Sequence, residues 1–302
     1  MSDVKEPTAR TILGDLPSSR LGLANSHDHV FFASPLLPQQ ELDDELLGEQ
    51  ELAAFTAAGG QSVVQWTPAG LGRRRTALAR LSRRTGVHIL SATGRHRAVH
   101  YPEDARYQTE DALTARFLAD LKAKSLPCGL IKIGTGFHHL DDFERLSLHA
   151  AAHAQLATGA PIAVHLELGT AGQLVLAELA QLGVPAEGIV LGHLGRNPDS
   201  GYLTELAQSG AWLCFDGPSR TNHATDWRLF SVLEELASAG HLPQLLLGGD
   251  TTTAAARSVT SGPGMPALLS VTGQRIARLL GTEAWQKISV GNPSRAFALR
   301  NR

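Results

Sequence analysis

Cysteine is nearly absent: Cys128 and Cys214 are the only two in 302 residues. They form no CxxC step and no zinc-ribbon spacing, so neither a disulfide framework nor a thiolate metal site is expected. Both flank or lie in predicted strands, where buried inert thiols are expected. Aromatics are scarce at 5%, and a broad aromatic pocket is not obvious. No apolar run is long enough to span a bilayer, and the first residues lack the continuous apolar core of a signal peptide. The formal net charge of -2 offers no basic surface to nucleic acid or to an anionic membrane. These absences predict a soluble cytoplasmic protein that binds neither nucleic acid nor membrane.

Regular alternation is present instead. Apolar, β-branched runs at 21–29, 61–67, 87–93, 129–134, 162–166, 189–193, 211–215 and 244–250 read as strands. Helical periodicity at 147–158, 171–182, 201–208, 227–239 and 265–280 separates the later ones, and 70–86 carries the stripe Leu71, Leu78 and Leu81. Gly159, Gly183, Gly210, Gly240 and Gly281 follow helices, where the left-handed conformation closes the last turn. Eight strands alternating with helices predict a (β/α)8 TIM barrel formed by residues 1–302 as a single domain. A doubly wound sheet would need a Gly-rich phosphate turn after its first strand, where Ser26-His27-Asp28-His29 stands instead. Residues 10–21, with Gly14-Asp15 and a Pro-Ser-Ser turn, predict a small N-terminal hairpin closing the barrel bottom.

Six residues gather at the predicted strand ends: His27, His29, Lys132, His165, His193 and Asp250. His27 and His29 project from one face of an extended chain because side chains alternate. Taken singly, each His has a structural explanation, since a strand-end imidazole is often satisfied by a backbone carbonyl. Asp250, ending a very apolar strand, requires a strong partner. Lys132 lies among apolar neighbours, and burial favours its neutral amine. An ammonium cannot ligate a metal, so Lys132 must be modified or deprotonated to join such a centre. A barrel that brings strand ends together gathers imidazoles and carboxylates suited to zinc, manganese, iron or cobalt.

These residues, in this order, resemble the phosphotriesterase family of the amidohydrolase superfamily. The resemblance extends to residues 70–73 (GLGR), 92–94 (ATG), 158–165 (TGAPIAVH), 192–197 (GHLGRN), 262–265 (GPGM) and 292–295 (NPSR). It implies a hydrolase with two divalent transition-metal ions, zinc foremost, with manganese, cobalt or iron as alternatives. His27, His29 and Asp250 would hold the more buried ion, and His165 and His193 the more exposed one. Lys132, carboxylated by carbon dioxide, would bridge them beside a hydroxide, and Asp250 would take the hydroxide's proton. The resemblance also implies a small ester or lactone substrate with weak phosphotriesterase activity, and a homodimer. The chain departs from the family at Gln65 and Gly195, where Asp is common, and at Asp28, between the two His, where Glu is usual. That last change is expected to matter little.

Loops after the strands carry Arg95, His96, Arg196, Arg220 and Arg257, which together suggest a clamp for an anionic group on the substrate. The alternative is that such arginines pair at the surface with Asp199, Asp216 or Asp226. Other functions compatible with the residues are phosphotriester or phosphodiester hydrolysis, a one-metal deaminase-like mechanism, a Schiff-base barrel using Lys132, and a non-catalytic metal-stabilised binding barrel. The four histidines have no part in Schiff-base chemistry, and the deaminases lack the strand-four Lys.

Overall fold

The structure, a computed structural model, describes residues 6–216 and 224–300. An antiparallel hairpin of β1 (Thr8–Thr11) and β2 (Gly14–Pro17) precedes eight strands. These are β3 (Ala24–Asp28), β4 (Ser62–Gln65), β5 (His88–Arg95), β6 (Leu130–Thr135), β7 (Ile162–Leu166), β8 (Ile189–Gly192), β9 (Trp212–Asp216) and β10 (Leu245–Gly248). All neighbours pair in parallel, in sequence order from β3 to β10. That order is the barrel expected from the sequence and excludes the doubly wound sheet, whose strand order reverses.

The alternation of side chains divides each strand between two environments. Val64, Trp66, Leu90, Leu130, Ala163, Val190, Cys214 and Leu246 fill the lumen. Their sequence neighbours, among them Val63, Ile89, Ile131, Val164, Leu213 and Leu247, pack outward into the larger cluster shared with the helices. Below, Ala9, Leu21 and Phe297 plug the lumen. The hairpin is fastened there by Ile12 N donating to Ile89 O (2.8 Å) and Leu299 N to Thr8 O (2.7 Å). Both cysteines are free and buried.

Among the described residues seven α-helices are interleaved with the strands: α1 (Glu45–Ala57), α2 (Arg75–Thr85), α3 (Glu110–Leu121), α4 (Asp142–Thr158), α5 (Gly172–Gln181), α6 (Ser200–Gln208) and α7 (Leu229–Ser238). α1 and α3 lie outside the sequence expectation. In α1 the apolar stripe is broken by Glu51, which is buried and accepts from Ser258 N (2.9 Å), Ser258 Oγ (2.8 Å) and Met265 N (2.7 Å). The expected helix at 265–280 is interrupted by a π-helical stretch, Leu268–Gly273. Among the described residues no helix is long and apolar enough to cross a membrane.

Two close approaches position the top of the barrel. The seam between β10 and β3 is closed where Gly249 N and Asp250 N both donate to the His27 carbonyl at 2.9 Å. A Cβ at Gly248 would stand 2.5 Å from that of His27, and one at Gly249 would stand 2.2 Å from Asp28 Oδ2. Gly94, at φ +98°, pairs with Lys132 across β5 and β6, and a Cβ there would lie 2.0 Å from the Lys132 carbonyl oxygen. Gly94→Ala should therefore displace the β6 backbone that carries Lys132. Gly86, at φ +74°, faces open space, so Gly86→Ala should cost only the left-handed penalty of about 1–2 kcal/mol. Calorimetry should show the Gly94 variant losing clearly more stability than the Gly86 variant. Equal losses would mean that the approach to Lys132 relaxes freely.

Candidate metal centre

The six expected residues converge above the lumen: His27, Lys132 and His165 from within β3, β6 and β7, and His29, His193 and Asp250 from just beyond β3, β8 and β10. His27 is the last residue but one of β3, which carries one residue more than β4 between Asn25 and Asp28; such a bulge re-aims side chains. His29 follows one residue beyond the strand. Both rings point their Nε2 at Asp250 Oδ1, each at 3.5 Å. Ligand atoms about 2.0–2.1 Å from a tetrahedral zinc stand roughly 3.3 Å from each other, so the spacing suits a shared ion. His193 joins from β8, with its ring centroid 5.0 Å from His27 and 4.3 Å from His165. His193 and Asp250 both take positive φ (61° and 51°), a strained conformation of the kind found at functional sites.

One nitrogen of each ring is occupied. His27 Nδ1 pairs with Asp216 Oδ1 at 2.8 Å, and His193 Nδ1 pairs with Asp216 Oδ2. His29 Nδ1 meets Thr67 Oγ1 at 2.7 Å, and His165 Nε2 meets Glu167 Oε2 at 3.0 Å. Each ring thus keeps one nitrogen outside these bonds, and those of His27 and His29 stand 3.5 Å from Asp250 Oδ1. His27 Nε2 is buried without a hydrogen-bond partner, an arrangement that a metal would satisfy. Protonation agrees with this, because a ligating imidazole must be neutral. Burial lowers His29 to about 4, holds His165 well below its ordinary value and lowers His193. Burial also lowers Lys132 to about 8, against the opposing pull of Asp250 and Asp216. Burial alone would raise the Asp216 carboxyl, but His193 and His27 outweigh it and hold it well below the usual carboxylate range.

Asp216 is the residue that the sequence analysis misplaced. It was considered only as a surface partner for arginine, yet it sits beneath two of the expected ligands. Strand parity could have located it, since Trp212, Cys214 and Asp216 alternate on the lumen side of β9. Asp28 also matters more than expected. It is buried, accepts from Asn25 Nδ2 (2.5 Å), His29 N (2.8 Å) and Thr251 N (2.9 Å), and so ties His29 to the turn carrying Asp250. Burial pushes its carboxyl up to about 6. Gln65 takes over positioning at its own site, accepting from Val30 N (2.5 Å) and donating to Phe31 O (2.8 Å).

A cavity of about 340 Å³ is lined by all six expected side chains and by Phe32, Leu36, Leu37, His96, Arg97, His100, Glu167 and Arg196. His96 and Arg196 are thus where the sequence analysis expected them. Arg95 is not: it points outward, donating to Ser147 Oγ (2.5 Å) and Phe143 O (3.0 Å) with its guanidinium 3.6 Å from the Phe143 ring centroid. Its neighbour Arg97 faces the cavity and pairs with Glu167 at 2.5 Å. Arg257 is also spent on structure, donating to the Val30 carbonyl from a buried position. Arg220 lies outside the described residues. Trp66 stacks on His27 at 3.8 Å inside the lumen, so it braces a ligand rather than walling a pocket.

Comparison with known proteins agrees with this geometry. A phospho-furanose lactonase of Mycoplasmopsis synoviae is 29% identical over 268 residues, 80% of this chain and 76% of that protein. An N-acetyltaurine hydrolase of Danio rerio is 28% identical over 278 residues, 86% of this chain and 78% of that protein. The crystal structure of a lactonase from Listeria monocytogenes matches with a TM-score of 0.90 and 25% identity, over 97% of this chain and 100% of that one. The profile of the phosphotriesterase family matches residues 7–297, a span containing all six converging side chains, and the chain belongs to that family.

Proposed function

We propose that this chain is a binuclear metal-dependent hydrolase that opens a lactone or carboxylic ester bearing an anionic group. The observation that carries this reading is the set of ring nitrogens left over, in side chains lining one cavity, once Asp216, Thr67 and Glu167 have taken the others. His27, His29 and Asp250 would hold the more buried ion. His165, whose side chain is 19% exposed against 1% for His27, would hold the outer one with His193. Lys132 would bridge them as a carbamate. Its lowered pKa favours that role, because only the neutral amine attacks carbon dioxide. Two divalent ions, zinc foremost, would bring a bridging water to hydroxide near neutral pH and polarise the scissile carbonyl.

The chain's own groups would manage the proton and the substrate. Asp250 is placed to accept the proton released by the water and to return it to the departing ring oxygen. Arg196 Nη2, 3.2 Å from Asp250 Oδ2, favours the ionised carboxylate that must receive that proton. Arg97 and Arg196 put two guanidinium groups at the rim of a small cavity whose aromatic wall is limited to Phe32 among the described residues. Such a space favours a compact anionic substrate over a bulky neutral phosphotriester. Relatives named for a phosphorylated furanose lactone fit the same preference.

Protein prepared without chelator should contain about two transition-metal ions per chain by elemental analysis. Lys132→Ala should lose most of that metal and its activity, with partial return on adding short carboxylic acids. Unchanged metal content in this variant would remove Lys132 from the bridge. For recognition, Arg97→Gln should lower kcat/KM for an anionic lactone by about 10- to 100-fold relative to a neutral lactone of the same ring size, the effect of losing one charge-assisted contact. An equal effect on both lactones would show that Arg97 does not read the anion.

A further inference from the structure

One carboxylate serves two imidazoles that belong to different metal positions. Asp216 ends β9, between β8 and β10, with one oxygen against His27 Nδ1 at 2.8 Å and the other against His193 Nδ1. All three side chains are nearly removed from solvent, at 7%, 1% and 6% exposure, so water is a poor substitute for any of them. We propose that Asp216 is a positioning residue that fixes the tautomers of His27 and His193 together, and so couples the two metal positions. This inference rests on the binuclear assignment above, which places His27 on the inner ion and His193 on the outer.

The argument follows from donor and acceptor capacity. An ionised carboxylate only accepts hydrogen bonds. Both rings must therefore carry their proton on Nδ1, leaving both Nε2 lone pairs for metal. A group with one acceptor and one donor edge cannot impose this on both rings. An amide in place of Asp216 would accept from one imidazole through its oxygen and present an N–H to the other. That second ring would have to accept at Nδ1 and carry its proton on Nε2, where it blocks a metal bond. Separate partners hold the other two rings, Thr67 for His29 and Glu167 for His165, so no such conflict spreads to them.

Asp216→Asn provides a nearly isosteric test. Wild-type protein and the variant would be titrated with manganese under equilibrium dialysis and followed by electron paramagnetic resonance. The wild type should take up about two ions and give a spin-coupled pair. In the variant, one ion should bind nearly as before and the other at least about 10- to 100-fold more weakly, with the signal of an isolated ion at matched loading. A variant that binds two ions with unchanged affinities and retains the coupled signal overturns the proposal and leaves the binuclear assignment intact. A wild type that takes up one ion or none overturns the binuclear assignment, and this proposal with it. If the variant does not fold, long-range proton–nitrogen correlation on the wild-type zinc protein decides. Protons on Nδ1 of both His27 and His193 uphold the proposal, and a proton on Nε2 of either ring overturns it.

Discussion

The top of this barrel is governed by negative charge taken out of water. Asp216 and Asp250 are almost wholly buried at neighbouring strand ends, and burial favours the neutral form of His29, His165 and His193 nearby. Neutral rings can orient a buried carboxylate but cannot compensate its charge. Among the described residues Lys132 and Arg196 bring positive charge to this end; burial weakens the first, and the second stands 3.2 Å from Asp250 Oδ2. A buried anionic site left short of cations is costly. Divalent ions would complete it, and so the chemistry of the centre and the stability of this end of the fold share one source.

Holding that charge requires unusually close backbone contact. The His27 carbonyl receives two amides from the turn before Asp250, and the neighbouring glycines leave room for His27 and Asp28 themselves. The Gly-Gly-Asp sequence is therefore part of the packing around His-Asp-His: its glycines make the approach and its aspartate uses it. Gly94 does the same for Lys132. These glycines contribute no ligand atom, but the ligand geometry depends on their lack of a Cβ.

Where the sequence was informative, a strict physical period stood behind it. Alternation within buried strands located all eight of them and placed His165 near the upper end of β7 and Asp250 just past β10, whereas Lys132, expected at a strand end, is the third of the six residues of β6. Two helices escaped because their signals were of another kind. α1 trades an apolar position for the buried Glu51. α3 does carry Leu113, Phe117 and Leu121 at four-residue spacing, with Thr109 capping its first turn, a signal left unused. Asp216 was missed although the period was there to follow, because a charged residue at a strand end was assigned to the surface by default. Arg95 was misassigned in the opposite direction. Expected beside His96 in a clamp at the cavity, it points to the other side of the chain, packed against Phe143.

Beyond the strand ends that period no longer applies, and recognition lies there. Arg97 reaches the cavity from the loop after β5, and Glu167 from the loop after β7. Their pairing also involves the centre, because the Glu167 oxygen that meets Arg97 is the one that meets His165 Nε2. An anion that draws Arg97 toward itself therefore competes with the carboxylate that steadies an outer metal ligand. Conversely, a change at Glu167 alters both the charge available to Arg97 and the orientation of His165. On the proposed assignment, substrate preference and outer-metal affinity would therefore be joined through this one side chain.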